Sequence, residues 1–226
     1  MPVIVPINPK GGSGKSTTSL ALATALAASG ASVKVIDADP QASIIEWGKG
    51  SSKYKGIVEL RKNGEDLVDT IDRLSTTAQF VFVDLQGSAS LEMAEAISRA
   101  SLVLIPMQAK TEDMRGAGKA VALIARQAKV LGKEIPFRIL FVRTNPQIQT
   151  KDERRIRTSV HEAKLPVLTT SLHERVAYAN LFSHKLALDE MGKDINGLQK
   201  AQENVLQLTQ EILQAIPRHR EVTHVQ

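Results

Sequence analysis

The chain has 226 residues, enough for one large α/β domain with a substantial core, and its ordinary composition sets aside disordered and low-complexity classes. It carries no cysteine, which removes disulfides, thiolate zinc sites and iron–sulfur clusters together, and one Trp, two Tyr and five Phe are too few for modules that bind nucleic acid by base stacking. Lys and Arg number 29 against 24 Asp and Glu, a net charge of +5 that permits a polyanionic partner without requiring one.

The first apolar run, Val3-Ile4-Val5-Pro6-Ile7, predicts a strand, and Ser16 to Ala28 reads as a helix. Between them stands Lys10-Gly11-Gly12-Ser13-Gly14-Lys15-Ser16-Thr17. Strand, glycine-rich turn and helix N-terminus in that order make a phosphate-binding loop, in which backbone N–H groups converge on an anion and the helix dipole favours negative charge. Gly11, Gly12, Ser13, Gly14 and Thr17 are then the nucleotide-cradling residues, Lys15 reaches the β- and γ-phosphates and the Ser16 hydroxyl holds Mg²⁺. The pattern G-x-x-x-x-G-K-[ST] would place its first glycine at position 9, where this chain has Pro9, and it carries an additional lysine, Lys10, beside the paired glycines. The phosphate loop begins so early that no signal peptide is expected ahead of it.

Gly30 is the expected cap of the first helix, and Val33-Lys34-Val35-Ile36 predicts a strand ending in Asp37-Ala38-Asp39-Pro40-Gln41. By themselves these carboxylates are a polar turn closed by Pro40; at the carboxyl end of a parallel strand they also lie where ligands bind. Ile44, Ile45 and Trp47 read as packing residues, residues 48–56 as a loop, Val58-Glu59-Leu60 as a short strand, and Leu67, Val68, Ile71 and Leu74 as one face of a helix. Phe80-Val81-Phe82-Val83-Asp84 has the form of a buried strand ending in a carboxylate, the Walker B pattern, so Asp84 is a candidate for holding Mg²⁺ through water. Gly87 then falls where a switch loop senses a γ-phosphate.

Leu102-Val103-Leu104-Ile105-Pro106 predicts another core strand, followed by a helix from about Met114 to Leu131. On that helix Arg115, Lys119, Arg126 and Lys129 fall on one side, within about 80° of arc at 100° per residue, opposite the Ala/Ile/Leu side. A strand over Phe137 to Val142 precedes Arg143-Thr144-Asn145-Pro146, and a basic cluster follows, Lys151, Arg154, Arg155 and Arg157. Pro166-Val167-Leu168 is the expected last strand, with a helical segment opening at His173-Glu174-Arg175. The five histidines show no metal-ligand spacing and read as surface residues. A final helix, Leu198 to Ile216, shows apolar residues at alternating three- and four-residue steps and is stopped by Pro217. No stretch approaches the ~18–20 apolar residues of a membrane span. The expected architecture is a single doubly wound, mostly parallel α/β sheet with helices on both faces over residues 1–217, and a polar tail over 218–226.

Lys10 to Thr17, Asp37 to Gln41 and Phe80 to Asp84, in this order, resemble the deviant Walker A ATPases of the ParA/MinD family, closest to the small ParA partition proteins. The resemblance covers nearly the whole chain, with a departure at Leu85-Gln86-Gly87-Ser88 from the sequence usual in the switch. It implies an ATPase using ATP and Mg²⁺ and a homodimer closed around two ATP molecules. It also implies DNA binding without sequence preference and stimulation by a ParB-like centromere-binding or adaptor protein. By the same resemblance Lys10 acts across the dimer, Asp39 helps place the attacking water and the Mg²⁺ shell, and Asn145 contacts adenine. Arg154, Arg155 and Arg157 are the favoured DNA contacts because the family places its basic residues towards the C-terminal part, and the stripe from Arg115 to Lys129 is the runner-up. A cytoplasmic, nucleoid-associated protein without a membrane partner is expected, since the residues after Pro217 lack an apolar face. Two other readings stay open: a recruitment factor of conjugative or T-DNA transfer, suggested around Ser171 to Arg175, and a nucleotide-gated scaffold with negligible turnover.

Overall fold

The computed structural model describes residues 1–61, 65–87 and 91–217; the expected tail and Ser88 of the switch lie outside them. Among the described residues seven parallel strands, β1 (Val3–Pro6), β2 (Val33–Ala38), β3 (Val58–Glu59), β4 (Phe80–Leu85), β5 (Leu102–Met107), β6 (Phe137–Thr144) and β7 (Leu172–His173), form one sheet in the order β3-β2-β4-β1-β5-β6-β7. The interior strands β1, β4 and β5 are apolar almost without interruption, as a sheet covered on both faces requires. Successive side chains alternate between two cores: Ile4, Phe82 and Leu104 face one way, Val5, Val83 and Ile105 the other.

The first core is closed by α1 (Lys15–Ala28), α2 (Ser43–Gly48), α7 (Val176–His184) and α8 (Leu198–Ala215), and the second by α3 (Leu67–Thr77), α4 (Leu91–Arg99), α5 (Thr111–Leu131) and α6 (Lys151–Glu162). Helix α1 is apolar around most of its circumference because it lies between the sheet and the layer made by α7 and α8. Trp47 is fully buried in that layer, as its neighbours in sequence suggest. The chain leaves β1 over α1 to reach β2 and returns through β4 before crossing to β5. The carboxyl ends of β1, β2 and β4 therefore meet where the winding reverses, the place where such sheets bind ligands. Asp37 and Asp84 are direct register partners there.

Three expectations shift. Helix α5 begins at Thr111 rather than Met114: of the added residues, Glu112 and Asp113 suit a helix N-terminus by charge, which apolar spacing does not register. Of Pro166 to Leu168 only Val167 bridges to Ile139, and the last strand is Leu172–His173, so His173 is a strand residue and the helix starts at Val176. The break between the two pieces has a cause on α8, where Glu211 accepts the backbone N–H groups of Thr169 and Thr170 at 2.6 and 2.8 Å. His161 and His184 are exposed as expected, whereas His173 is half-buried.

Candidate nucleotide site

The loop after β1 closes on Gly14, which caps α1 at φ 93°, a left-handed conformation that a side chain would strain. No side chain caps this helix and its first turn holds no acidic residue, so the terminal N–H groups remain available to an anion. Gly87, beyond β4, comes so near that a Cβ would stand 3.0 Å from the Gly11 nitrogen, which brings the end of the fourth strand against the glycine loop. Gly11 to Thr17 line a cavity of about 390 Å³ together with Asp39, Gln41, Gln86, Gly87 and Arg143.

Lys15 is buried at the base of this cavity, its Nζ donating to the Asn8 carbonyl at 3.3 Å. Burial lowers its pKa, and the negative charges of Asp84 and Asp39 oppose that shift. Asp84 is wholly buried and neither carboxylate oxygen has a hydrogen-bond partner among the described residues. Burial pushes its carboxyl up to about 7, with the nearby Ser16 hydroxyl and Lys15 pulling it down and Asp37 adding to the rise. A buried acid with two unpartnered oxygens beside Ser16 fits a hard cation that takes its remaining ligands from phosphate and water, as Mg²⁺ does. No group of three His, Cys, Asp or Glu among the described residues could hold a metal without such help.

The two carboxylates after β2 are held differently. Asp37 accepts from the N–H groups of Asp39 (3.1 Å), Ile44 (2.9 Å) and Ile45 (3.0 Å), so it fixes the turn and the start of α2. Burial raises its pKa and those N–H groups lower it. Among the described residues Asp39 accepts only from the Gln41 N–H, at 2.9 Å, and it lines the cavity. Lys10 lines neither this cavity nor the one beside it: its ammonium pairs with the buried Asp113 of α5, and that carboxylate also accepts from the Gln108 N–H at 2.8 Å.

A second cavity of about 300 Å³ adjoins the first, sharing Gly14, Thr17 and Arg143 and walled by Leu172, His173, Tyr178 and Phe182. Asn145 lines neither cavity: it is exposed, and its side-chain oxygen accepts from the N–H groups of Gln147 and Ile148 at 2.8 and 3.1 Å, closing a local turn. Neither Arg143 nor His173 is expected at the site from the sequence: Arg143 falls in no motif, and Ser171 to Arg175, which holds His173, suggests only a resemblance to transfer factors. His173 pairs with Thr144 at 2.9 Å, and burial lowers its pKa with the Arg175 charge adding to the effect.

Residues 4–188 match the CobQ/CobB/MinD/ParA nucleotide binding domain family, CbiA. The chain belongs to this family. It is 34% identical over 205 residues to Protein ParA of Rhizobium radiobacter, covering 90% of this chain and 92% of the relative. To the maintenance of carboxysome distribution protein A of Halothiobacillus neapolitanus it is 25% identical over 188 residues, covering 82% and 85%. The structure of the Cyanothece McdA(D38A)–ATP complex has the same fold, with a TM-score of 0.71 at 17% identity, covering 98% of this chain and 99% of that one. The family is one of nucleotide-binding domains, and the cavity lined by Gly11 to Thr17 lies within the matched residues.

In this ParA/MinD-type domain the two basic clusters differ in how far their cations are engaged. On α6, Arg157 pairs with Glu153 (2.9 Å), donates to Ser171 (3.0 Å) and stacks over the Phe141 ring, and Arg155 lies 3.6 Å from Asp152. Arg154 alone of the three is exposed with no ion pair among the described residues. On α5, Arg115, Lys119, Arg126 and Lys129 are all exposed, and none forms an ion pair among the described residues. No described helix is long and apolar enough to cross a membrane.

Proposed function

We propose that this chain is a partition- or positioning-type ATPase. In this reading ATP lies with its phosphates on the loop from Gly11 to Thr17 and its base in the second cavity. Two copies close on one another across the bound nucleotides, hold DNA without sequence preference in that state, and separate when a ParB-like or adaptor protein stimulates hydrolysis. The observation that carries it is the meeting of an uncapped helix N-terminus, a buried lysine and the carboxylate of Asp39 on one cavity at the carboxyl edge of the sheet, with the buried Asp84 close to Lys15. The names of the relatives, a ParA and a carboxysome-distribution protein, support partition or positioning as the task.

The roles follow from chemistry. Hydrolysis is an in-line attack of water on the γ-phosphorus, and the protein contributes mostly position and charge. Lys15 neutralises the β- and γ-phosphates, and Asp39, the cavity carboxylate with a single hydrogen-bond donor on it, orients the water. Ser16, Asp84 and Asp39 are the residues that would hold Mg²⁺. Bound there, the ion supplies charge neutralisation on the phosphate oxygens. Lys10 leaves Asp113 to reach the partner's phosphates, offsetting the repulsion of two triphosphates brought face to face. Since Arg157 already has partners in the fold, the stripe on α5 becomes the favoured DNA contact, with Arg154 and Arg155 next to it in rank.

Phosphate release from ATP, measured with and without DNA for the wild type and Lys15→Ala, tests the enzyme reading. Turnover that requires Lys15 and rises with DNA is expected. ATP binding without turnover under every condition would leave a nucleotide-gated scaffold instead.

A further inference from the structure

Arg143 stands where β6 departs from regular geometry. Its φ is +51°, in the left-handed region that non-glycine residues occupy at a cost, and the pairing with β7 shifts register between Val142 and Thr144 around it. A bulge of this kind re-aims one side chain without moving the strand. The neighbours on either side stay in the core: Val142 is buried against Gly14, and Thr144 is buried and bonded to His173. Arg143 is instead exposed, and no carboxylate among the described residues pairs with it.

Its position is specific in one further respect. With Gly14 and Thr17 it is common to both cavities, so it occupies the neck between the phosphate loop and the pocket under Tyr178 and Phe182. Gly14 and Thr17 belong to the loop and helix floor; Arg143 is the shared residue with a long cationic side chain. A nucleotide lying in both cavities passes this neck at the join between its phosphates and its sugar. We propose that Arg143 is a nucleotide-binding residue whose guanidinium pairs with phosphate oxygens at the sugar-proximal end of the chain, opposite the end held by Lys15. An arginine suits this place because its planar fork donates two hydrogen bonds to one phosphate and keeps its charge at any working pH. The strained backbone is retained because a regular strand would turn this side chain towards one of the two cores. The inference rests on the nucleotide lying across both cavities, as proposed above.

Binding of ADP by calorimetry, with adenosine measured by competition against a fluorescent ADP, tests it on the intact protein without reference to turnover. Arg143→Ala is expected to weaken ADP about ten- to hundredfold, the loss typical of a charge-assisted hydrogen bond, while leaving adenosine unchanged. Arg143→Lys should recover part of the ADP affinity, because the charge remains and the fork is lost. Arg143→Gly relieves the left-handed strain and should melt no lower than wild type while binding ADP as poorly as the alanine variant, which separates the missing guanidinium from impaired folding. Wild-type ADP affinity in Arg143→Ala would overturn the assignment and leave the proposed function standing. An equal loss for adenosine would also overturn it, since the guanidinium would then serve the base. A wild type that binds no ADP would remove both readings.

Discussion

Asp84 is a carboxylate placed where folding alone gives it no reason to be. Both oxygens are buried, neither has a hydrogen-bond partner among the described residues although the Ser16 hydroxyl is nearby, and the register sets it beside a second acid, Asp37. Such a group opposes folding until a cation arrives. Asp84→Asn should therefore stabilise the nucleotide-free protein, by on the order of 1–3 kcal/mol and so with a higher melting temperature, while abolishing Mg²⁺-dependent hydrolysis. A variant that melts lower and still hydrolyses ATP would show Asp84 to be an ordinary core residue. Asp39 calls for the opposite result: it lines the cavity with one hydrogen bond on it, so Asp39→Ala should keep ATP affinity and lose turnover. Unchanged phosphate release by that variant would move the water-positioning role to another group. His173 gives a pH signature. Its folded pKa lies below the ordinary 6.5 through burial, with Arg175 and Arg157 adding to the fall and the Thr144 contact and Glu153 opposing it. The native state thus prefers the neutral ring. Its contribution to stability is complete above pH 6.5 and is lost as the pH falls below that value, because the unfolded chain takes up the proton first. Between pH 7.5 and 5.5 wild type should lose more melting temperature than His173→Gln; equal losses would contradict this.

At the scale of elements, what the sequence declares and what it withholds divide along physical lines. The phosphate loop, the strands β2, β4 and β5 and the helix α1 are legible because a local pattern, an apolar run or a glycine turn, determines each. Helix α5 starts a turn earlier than its apolar spacing shows, because acidic residues at a helix terminus leave no periodic trace. The piece after Pro166 does not pair as one strand because Glu211, over forty residues away, takes its N–H groups. Arg143 is invisible to sequence because no residue type announces a positive φ at a bulge when it is not glycine or asparagine. Arg157 looks like a free surface cation, and its partners on α6, β6 and the segment before β7 become apparent only in the fold. That difference yields a test between helices. Neutralising Arg115, Lys119 and Arg126 together should weaken DNA binding and flatten its salt dependence by about one unit of log–log slope for each DNA phosphate left without its cation. Neutralising Arg154 and Arg155, with Arg157 left to its structural partners, should cost less. The reverse ranking in a mobility shift at two salt concentrations would return the DNA surface to α6.

For the molecule as a whole, the doubly wound parallel sheet follows from alternation of strand and helix, and its topology brings three loops to one edge. What one chain cannot do alone is complete the role assigned to Lys10, whose ammonium is turned inward onto a buried carboxylate of α5. The same helix carries the exposed basic stripe, so a change at Lys10 on dimer formation and a doubling of cations along one face would occur together. ATP would then control DNA affinity without touching DNA. The central claim is that ATP, and not ADP, joins two copies through Lys10. Light scattering of wild type and Lys10→Ala, each without nucleotide, with ADP and with ATP, tests it most directly. The account predicts a doubled mass for wild type with ATP alone and a monomer for Lys10→Ala throughout, although that variant still binds ATP. A wild type that stays monomeric with ATP, or a Lys10→Ala that dimerises equally well, would contradict it.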